Sequence, residues 1–338
     1  MSVPSHALVL TAGLGTRLRP LTYVRAKPAM PVAGEPLIRR IIAWLVSSGV
    51  TELVLNLHHL PETLTSAVGE GGDLSARVRY SWEQPDLLGS AGGPRQAWPI
   101  IGVDRFLVVN GDTLTDLDLR ALSNAHARSG ALVTLALVPN REPHRYGGVC
   151  LDACGCVSGF IPRGPAAEGS FHFVGVQLVD AEVFRGLPAG RPASSIGGVY
   201  DEILAARPGA VRGHVCHAQF WDIGTAEDYL ATSLALAGAD PRAGPRTRID
   251  PSARVSRSIV WDDVEIARGC VIDECIVADG VRVPAGSIYR RAVLVRTDSV
   301  PATAGGHVDG ELLVSALTEV AGGRVAAGVT PAKDAAQP

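Results

Sequence analysis

The chain has 338 residues and a net charge of -3, long enough for two domains and too evenly charged, with no basic stripe, for nucleic acid or an anionic membrane to be a main partner. No segment approaches the roughly 20 apolar residues of a membrane helix, and Met1 to His6 carries no charged head before a long apolar stretch, so no membrane association and a cytoplasmic location are expected. Cys150, Cys154 and Cys156 form C-x3-C-x-C, Cys216 stands alone, and Cys270 and Cys275 form C-x4-C. Without any Cys-x-x-Cys pair, the six read as reduced, mostly buried thiols, the alternative being a metal cluster at 150–156.

The first element is a short apolar run, His6 to Leu10, that predicts a buried strand. It opens into Leu10-Thr11-Ala12-Gly13-Leu14-Gly15-Thr16-Arg17-Leu18-Arg19-Pro20-Leu21-Thr22, with Lys27-Pro28 five residues further on. Glycines at the end of a strand let backbone N–H groups approach an anion, and Arg17, Arg19 and Lys27 add positive charge, so the stretch predicts a phosphate cradle. Gly-x-x-x-x-Gly-Lys-Ser/Thr is absent, and Gly-x-Gly-x-x-Gly fails at its third position, which is Leu18. Lys27 and Lys333 are the chain's only lysines among 31 basic residues, and Lys333 lies in a tail of Ala, Gly and Pro. A chain that otherwise uses Arg has kept a compact point charge at position 27, as a tight site of converging phosphates requires.

The pattern Gly-x-Gly-Thr-Arg-Leu-x-Pro-Leu-Thr followed by Lys-Pro resembles the signature of the sugar 1-phosphate nucleotidylyltransferases, also called NDP-sugar pyrophosphorylases. The resemblance implies nucleotide binding by Leu10, Ala12, Gly13, Gly15, Thr16 and Arg17, with Arg17 and Lys27 as catalytic residues.

Further along, Pro36 to Val46 has helical apolar spacing and stops near Gly49, and Thr51 to Leu57 predicts a second strand. Strand, loop, helix, strand opens a parallel sheet covered by helices. His58 and His59 are adjacent, so they point opposite ways and read as loop residues near the nucleotide rather than a metal pair. Val78 to Trp82 is a third strand, followed by the Gly-rich stretch Glu83 to Pro94. That stretch resembles the family's base-recognising loop, implying contacts from Gln84, Gly89, Ser90, Ala91 and Gly92, with Ala and Gly leaving room for a flat ring. An ordinary flexible loop is the alternative.

Phe106 to Val109 predicts a central strand that ends in Asn110-Gly111-Asp112. In open parallel sheets ligands sit beyond the carboxyl ends of the strands, which makes Asp112 a magnesium ligand by charge logic. Phe220-Trp221-Asp222-Ile223-Gly224-Thr225 resembles the family's second metal motif and implies Asp222 as the other carboxylate; the alternative is a cap for a helix starting near Ala226. Between them, the resemblance implies a sugar side formed by Tyr146 to Val149, Phe160 to Gly164 and Phe173 to Val176, with Asn110, Gly148, Arg163 and Gly175 on the sugar phosphate. The family's Val-Glu-Lys-Pro is altered here: Pro162 replaces the Glu and Arg163 the Lys, which removes a carboxylate contact to sugar hydroxyls.

A linker follows at 240–249, after a catalytic domain over 1–239. Val255, Val260, Ile266, Ile272, Val277, Val283 and Tyr289 then recur, with Ala253, Ser258, Val264, Cys270, Cys275, Val281 and Ser287 two positions before them. The period is 17 residues, three hexapeptides less one, and resembles a short left-handed parallel β-helix over 250–297. About two coils require capping, by Gly310-Glu311 onward, by the catalytic domain or by a second subunit, which allows a homo-oligomer through the β-helix. The remainder, 298–338, is an extension expected to be disordered from 322.

The fold class expected is α/β: a Rossmann-like, mixed and mostly parallel sheet with helices on both faces, plus the β-helix. The activity implied is attack of a sugar 1-phosphate on the α-phosphorus of an NTP with Mg2+ as cofactor, GTP and mannose 1-phosphate first, UTP or dTTP with another hexose, a heptose or an N-acetylated sugar as alternatives. A non-catalytic sugar-nucleotide-binding paralogue is a further alternative. An acyltransferase on the β-helix would need a His within it, and 250–297 contains none.

Overall fold

The structure is a computed structural model and describes residues 3–237 and 243–317. The expected disorder from 322 and part of the expected linker lie outside these residues. The described chain forms two compact units. One holds the residues up to Gly13 together with Ile38–Trp221, the other Leu14–Leu37 together with the chain from Asp222 onward.

The first unit is built on a nine-stranded mixed sheet. In chain order its strands are β1 (His6–Leu10), β2 (Glu52–Leu57), β3 (Arg77–Trp82), β4 (Arg105–Asn110), β5 (Val133–Pro139), β6 (Gly148–Leu151), β7 (Val157–Ile161), β8 (Phe171–Asp180) and β9 (Val211–Val215). They lie in the order β7-β6-β8-β4-β1-β2-β3, with β5 also on β8 and β9 on β5. The half β4-β1-β2-β3 is parallel throughout, and its strands carry unbroken apolar runs such as Ala7-Leu8-Val9 and Phe106-Leu107-Val108, all fully buried. Continuous burial follows from helices packing over a parallel sheet. Strand β8 is antiparallel to β4, β5 and β6, and its register shifts between Phe173 and Gln177, where Gly175 has φ +80°. The helices are α1 (Leu37–Ser47), α2 (Pro61–Val68), α3 (Gly89–Ile101), α4 (Leu119–Ser129) and α5 (Tyr200–Ala206). Pro36 is thus not in α1 but in a short hairpin, Pro31–Val32 with Glu35–Pro36. Among the described residues no helix is long and apolar enough to cross a membrane.

The carboxyl ends of the parallel strands are tied by a buried polar network. Glu83, just past β3, is 0% exposed; its carboxyl accepts from Asn56 Nδ2 at 2.7 Å and from the Leu88 amide at 2.7 Å. Asn56 in turn accepts from the Thr11 amide at 2.6 Å through Oδ1, and His58 Nδ1 lies 2.8 Å from Glu83 O. Helix α3 closes over this network because it begins with small residues. A Cβ at Gly93 would stand 2.6 Å from Glu83 Oε1.

The second unit contains helix α6 (Ala226–Ala237) and the repeat. Three parallel sheets run along it: 248–249 with 265–266 and 282–283, 254–256 with 271–273 and 288–290, and 259–260 with 276–277 and 292–296. Val255, Ile272 and Tyr289 pair in one, Val260, Val277 and Leu294 in another, each step being 17 residues as the sequence spacing predicts. This is the hexapeptide β-helix, with Cys270 and Cys275 fully buried in its core. Its last coil is closed by Leu312–Ala316, antiparallel to Ala292–Arg296, which puts Leu312 and Val314 into the core. The expectation of mostly buried thiols is corrected: Cys154 is exposed, on the turn after β6, and Cys150, Cys156 and Cys216 are half-buried, all four lying outside the coil. All six thiols are free.

Glu83→Ala leaves Asn56 Nδ2 and the Leu88 amide without their acceptor in a dry site, and each such group costs about 1–3 kcal/mol. Chemical denaturation is expected to show a loss on the order of 2–5 kcal/mol; a loss below about 1 kcal/mol would mean that water replaces the carboxyl.

Candidate active site

In the first unit, the parallel register Leu10↔Asn110 sets the β1 loop beside the end of β4. The Gly111 amide donates to Leu10 O at 2.9 Å, and a Cβ at Gly111 would stand 2.6 Å from that oxygen. Only glycine lets the two strand ends come so close, and the approach fixes half-buried Asp112 next to the loop. Thr113 Oγ1 is 3.3 Å from Asp112 Oδ1. Gly175 faces Asn110, and a Cβ there would stand 2.8 Å from Asn110 Nδ2, so Asn110, Gly175, Asp112, Leu10 and buried Ala12 gather at one end of the sheet. A Cβ at Gly13 meets nothing within 4 Å, so this exposed glycine is not demanded by the chain's own packing.

The stretch around residue 90 differs from the loop expected. Gly89, Ser90, Ala91 and Gly92 form the first turn of α3. The amides of Ala91 and Gly92 donate to Ala193 O at 2.9 and 3.2 Å, and Ser90 Oγ accepts from the Ser195 amide at 2.9 Å. A Cβ at Gly92 would be 2.5 Å from Arg191 O. The space that small residues leave at Gly92 is filled by 191–195 of the chain itself rather than left for a flat ring. Gln84 and Gly89 remain exposed.

In the stretches expected to face a sugar, a Cβ at Gly148 would strike Ser170, so that glycine serves packing, while Gly147 and Arg163 are exposed. The rings of Tyr146, His172 and Phe220 stack, with centroids 4.1 and 4.8 Å from His172 to its two neighbours. Burial, helped by the nearby Arg145 charge, lowers His172 to about 4, so it is neutral at pH 7. These rings and Asn140, Glu142 and His217 line a recess of about 370 Å3.

In the second unit, the Arg-rich loop is a compact knot. Gly15 has φ +60°, its carbonyl accepts from Thr22 Oγ1 at 3.0 Å and from the Leu18 amide at 2.9 Å, and a Cβ there would stand 2.7 Å from Thr22 Cγ2. Thr16 and Arg17 are exposed on the short 3-10 turn that follows, whereas Lys27 is only 7% exposed. Around Gly224, a Cβ would meet Arg17 Nη1 at 3.1 Å, Asp222 Oδ2 at 3.1 Å and Asp228 Oδ2 at 3.3 Å. The guanidinium and the two carboxylates therefore converge on one glycine. The cap of α6 is Thr225: its amide and hydroxyl reach Asp228 Oδ2 at 3.1 and 2.9 Å, and it accepts from the Asp228 amide at 3.2 Å. That reciprocal cap discharges the role that Asp222 would otherwise fill.

Sequence reasoning missed Thr11, Asn56, Glu83, Gly111, Gly224 and His172. Glu83 and Asn56 each end a predicted strand, and a polar residue at that place is the one signal that could have found them.

Comparison with known proteins gives the family. The model of the family described as nucleotidyl transferase matches residues 6–238, and that described as GlmU-like, C-terminal hexapeptide matches residues 243–289. A mannose-1-phosphate guanylyltransferase of Mycobacterium tuberculosis is 30% identical over 84% of this chain and 83% of its own length. An N-acetylmuramate alpha-1-phosphate uridylyltransferase of Neisseria meningitidis is 35% identical over 69% of this chain and 98% of its own. The crystal structure of HddC from Yersinia pseudotuberculosis complexed with GMP-PN shares the fold, with a TM-score of 0.60 at 24% identity over 69% of this chain and all of that one. A chain with these two matched regions in this order belongs to the nucleotidyl transferase family and is a nucleotidyltransferase with a C-terminal hexapeptide β-helix.

Proposed function

We propose that the enzyme joins an NTP to a sugar 1-phosphate, giving an NDP-sugar and pyrophosphate. The observation that carries this reading is the gathering of Arg17 and Asp222 around Gly224, in a chain whose Asp112 stands beside the β1 loop. A sugar phosphate oxygen, already ionised at pH 7, attacks the α-phosphorus in line; the new P–O bond forms as the bond to the β-phosphate oxygen breaks, and pyrophosphate leaves. No proton has to be removed, so the work left to the protein is positioning and charge neutralisation. Arg17 neutralises the departing phosphates, and Lys27 sits at the α-phosphate and the sugar phosphate. The amides around Gly13, Gly15 and Thr16 cradle the triphosphate, while Gln84 and Gly89 approach the base. Ser90, Ala91, Gly92 and Gly148 are packed by the chain's own atoms, with the Ala91 and Gly92 amides taken by Ala193 O, and they shape the walls of the site rather than bind through side chains. Asn110, Gly175 and Arg163 face the sugar phosphate.

Asp112 and Asp222 are the ligands proposed for a magnesium ion, a cation that binds one or two carboxylates and completes its sphere with phosphate oxygens and water. Among the described residues no group of three or more His, Cys, Asp or Glu is placed to hold a metal without such help. When bound, the ion supplies positive charge at the phosphate oxygens.

GTP and mannose 1-phosphate are the substrates proposed first, supported by the relative matched along both regions of the chain. The uridylyltransferase relative favours UTP with an N-acetylated sugar as the second reading, and Pro162 in place of a hydroxyl-binding carboxylate leans the same way. A homo-oligomer formed through the β-helix belongs to the first reading, and sedimentation velocity tests it.

Three outcomes are expected. Asp112→Asn and Asp222→Asn each lower turnover on the order of 100-fold and raise the magnesium concentration needed, with the melting temperature unchanged; an Asp222 variant with wild-type rate and metal requirement would remove it from the site. Lys27→Arg fails to restore the roughly 100- to 1000-fold loss of Lys27→Ala in a pyrophosphate-release assay, whereas near-full activity in the Arg variant would make Lys27 a general charge. Across GTP, UTP and dTTP with a panel of sugar 1-phosphates, GTP with mannose 1-phosphate gives the highest kcat/KM; a higher value for UTP or dTTP with any sugar overturns the guanine assignment and leaves the reaction class.

A further inference from the structure

Two aspartates of the β-helix stand outside its apolar core. Asp262 and Asp279 are 17 residues apart and stack at the same corner of successive coils, the Asp262 amide donating to Asp279 Oδ1 at 3.1 Å. Stacked like charges are costly unless a cation lies between them. The cation is Arg25, from the loop that carries Arg17 and Lys27. Its Nε and Nη2 donate to the two oxygens of Asp279 at 2.6 and 2.7 Å, and Nη2 reaches Asp262 Oδ2 at 2.9 Å. The guanidinium carbon lies 5.3 Å from the ring centre of Trp261, which is 0% exposed. Burial works against the Arg25 charge, and the hydrogen bonds and charges of Asp279 and Asp262 outweigh it, holding the guanidinium above its usual value.

The same loop is pinned a second time. Tyr229 of α6 donates to Pro31 O at 2.5 Å and accepts from Trp261 Nε1 at 3.0 Å. Lys27 lies between the two pins, two residues after Arg25 and four before Pro31. The intervening chain is tightly turned, with Ala29 N on Ala26 O at 2.8 Å and Met30 N on Lys27 O at 3.2 Å, and Ala26 is fully buried. There is no slack between the pins, so a shift of Arg25 moves the backbone of Lys27.

We propose that Asp262 and Asp279 are positioning residues of the nucleotidyl transfer, holding Lys27 in place through Arg25, so that the β-helix is a working part of the active site rather than an appendage. The proposal rests on the reading that Lys27 acts on the reacting phosphates. Displacing a catalytic group by about 1 Å costs rate far more than it costs binding.

The test is a double-mutant cycle in the full-length chain, measured by pyrophosphate release at saturating substrates with whichever of GTP, UTP and dTTP the wild-type chain turns over best. Asp279→Asn is expected to lower kcat about 10-fold with KM for the nucleotide nearly unchanged. In a Lys27→Ala background the same change is expected to lower kcat less than about twofold, because the group it positions is gone. A wild-type kcat for Asp279→Asn, or a full additional loss in the Lys27→Ala background, overturns the proposal. If Lys27→Ala itself keeps wild-type activity, it is the reading of Lys27 that fails. Should Asp279→Asn not fold, Arg25→Lys keeps the charge and loses the fork; an unchanged kcat in that variant likewise overturns the proposal.

Discussion

A carboxyl group with no contact to water sets the geometry of the first unit. Glu83 spans from Asn56 at the end of β2 to the Leu88 amide at the entry to α3, and Asn56 passes the connection on to Thr11 at the end of β1. Three neighbouring strand ends are thereby held in one register by groups that have no other partner in a dry environment, where a lost partner costs more than the bond itself contributes. The network has no slack: Gly93 has to lack a Cβ for α3 to lie over it. The position of the β1 loop follows from this, and so does that of Asp112, because Gly111 is drawn against Leu10.

The glycines around the site divide by what excludes their side chain. At Gly15, Gly111 and Gly175 a methyl group would meet the chain's own atoms within 2.6 to 2.8 Å, so the fold alone demands them. At Gly13 a methyl would meet nothing within 4 Å. The motif requires glycine there all the same, and an anion approaching the amide is the physical reason that the proposed activity provides.

Much of the fold was legible from the sequence because the deciding signals are local. Ala7 to Val9 and Phe106 to Val109 announce buried parallel strands by unbroken apolar runs, and the β-helix announces itself by a 17-residue period that the pairing of Val260 with Val277 repeats. The first turn of α3 was not legible. Gly, Ser, Ala and Gly in succession have the composition of a loop, and they are helical because Ala193 O takes the amides of Ala91 and Gly92 from a place a hundred residues later. Asp222 carries two meanings in the sequence, metal ligand or helix cap, and in the fold it is Thr225 and Asp228 that cap α6. A long-range partner decided the first case, of which local pattern carries no trace; the cap of α6 is local, its two residues standing three apart.

The loop from Arg17 to Lys27 shows how far charge counting by sequence misleads. It holds four cations, of which Arg17, Arg19 and Lys27 read from the sequence as charge for a triphosphate, while Arg25 is given no role. In the fold, Arg25 is taken by Asp262 and Asp279, and Arg19 lies over the ring of Tyr23 with its guanidinium carbon 5.1 Å from the centroid. Arg17 approaches Asp222, and Lys27 is held almost wholly out of solvent. A buried lysine beside a rigid turn is a fixed charge, and fixed charges stabilise a phosphoryl transition state better than mobile ones because nothing has to reorganise as the reaction proceeds. The two aspartates on the β-helix subtract a positive charge from the loop and return rigidity. For the proposed transfer, which moves no proton and depends on where charges stand, that exchange would favour the transition state.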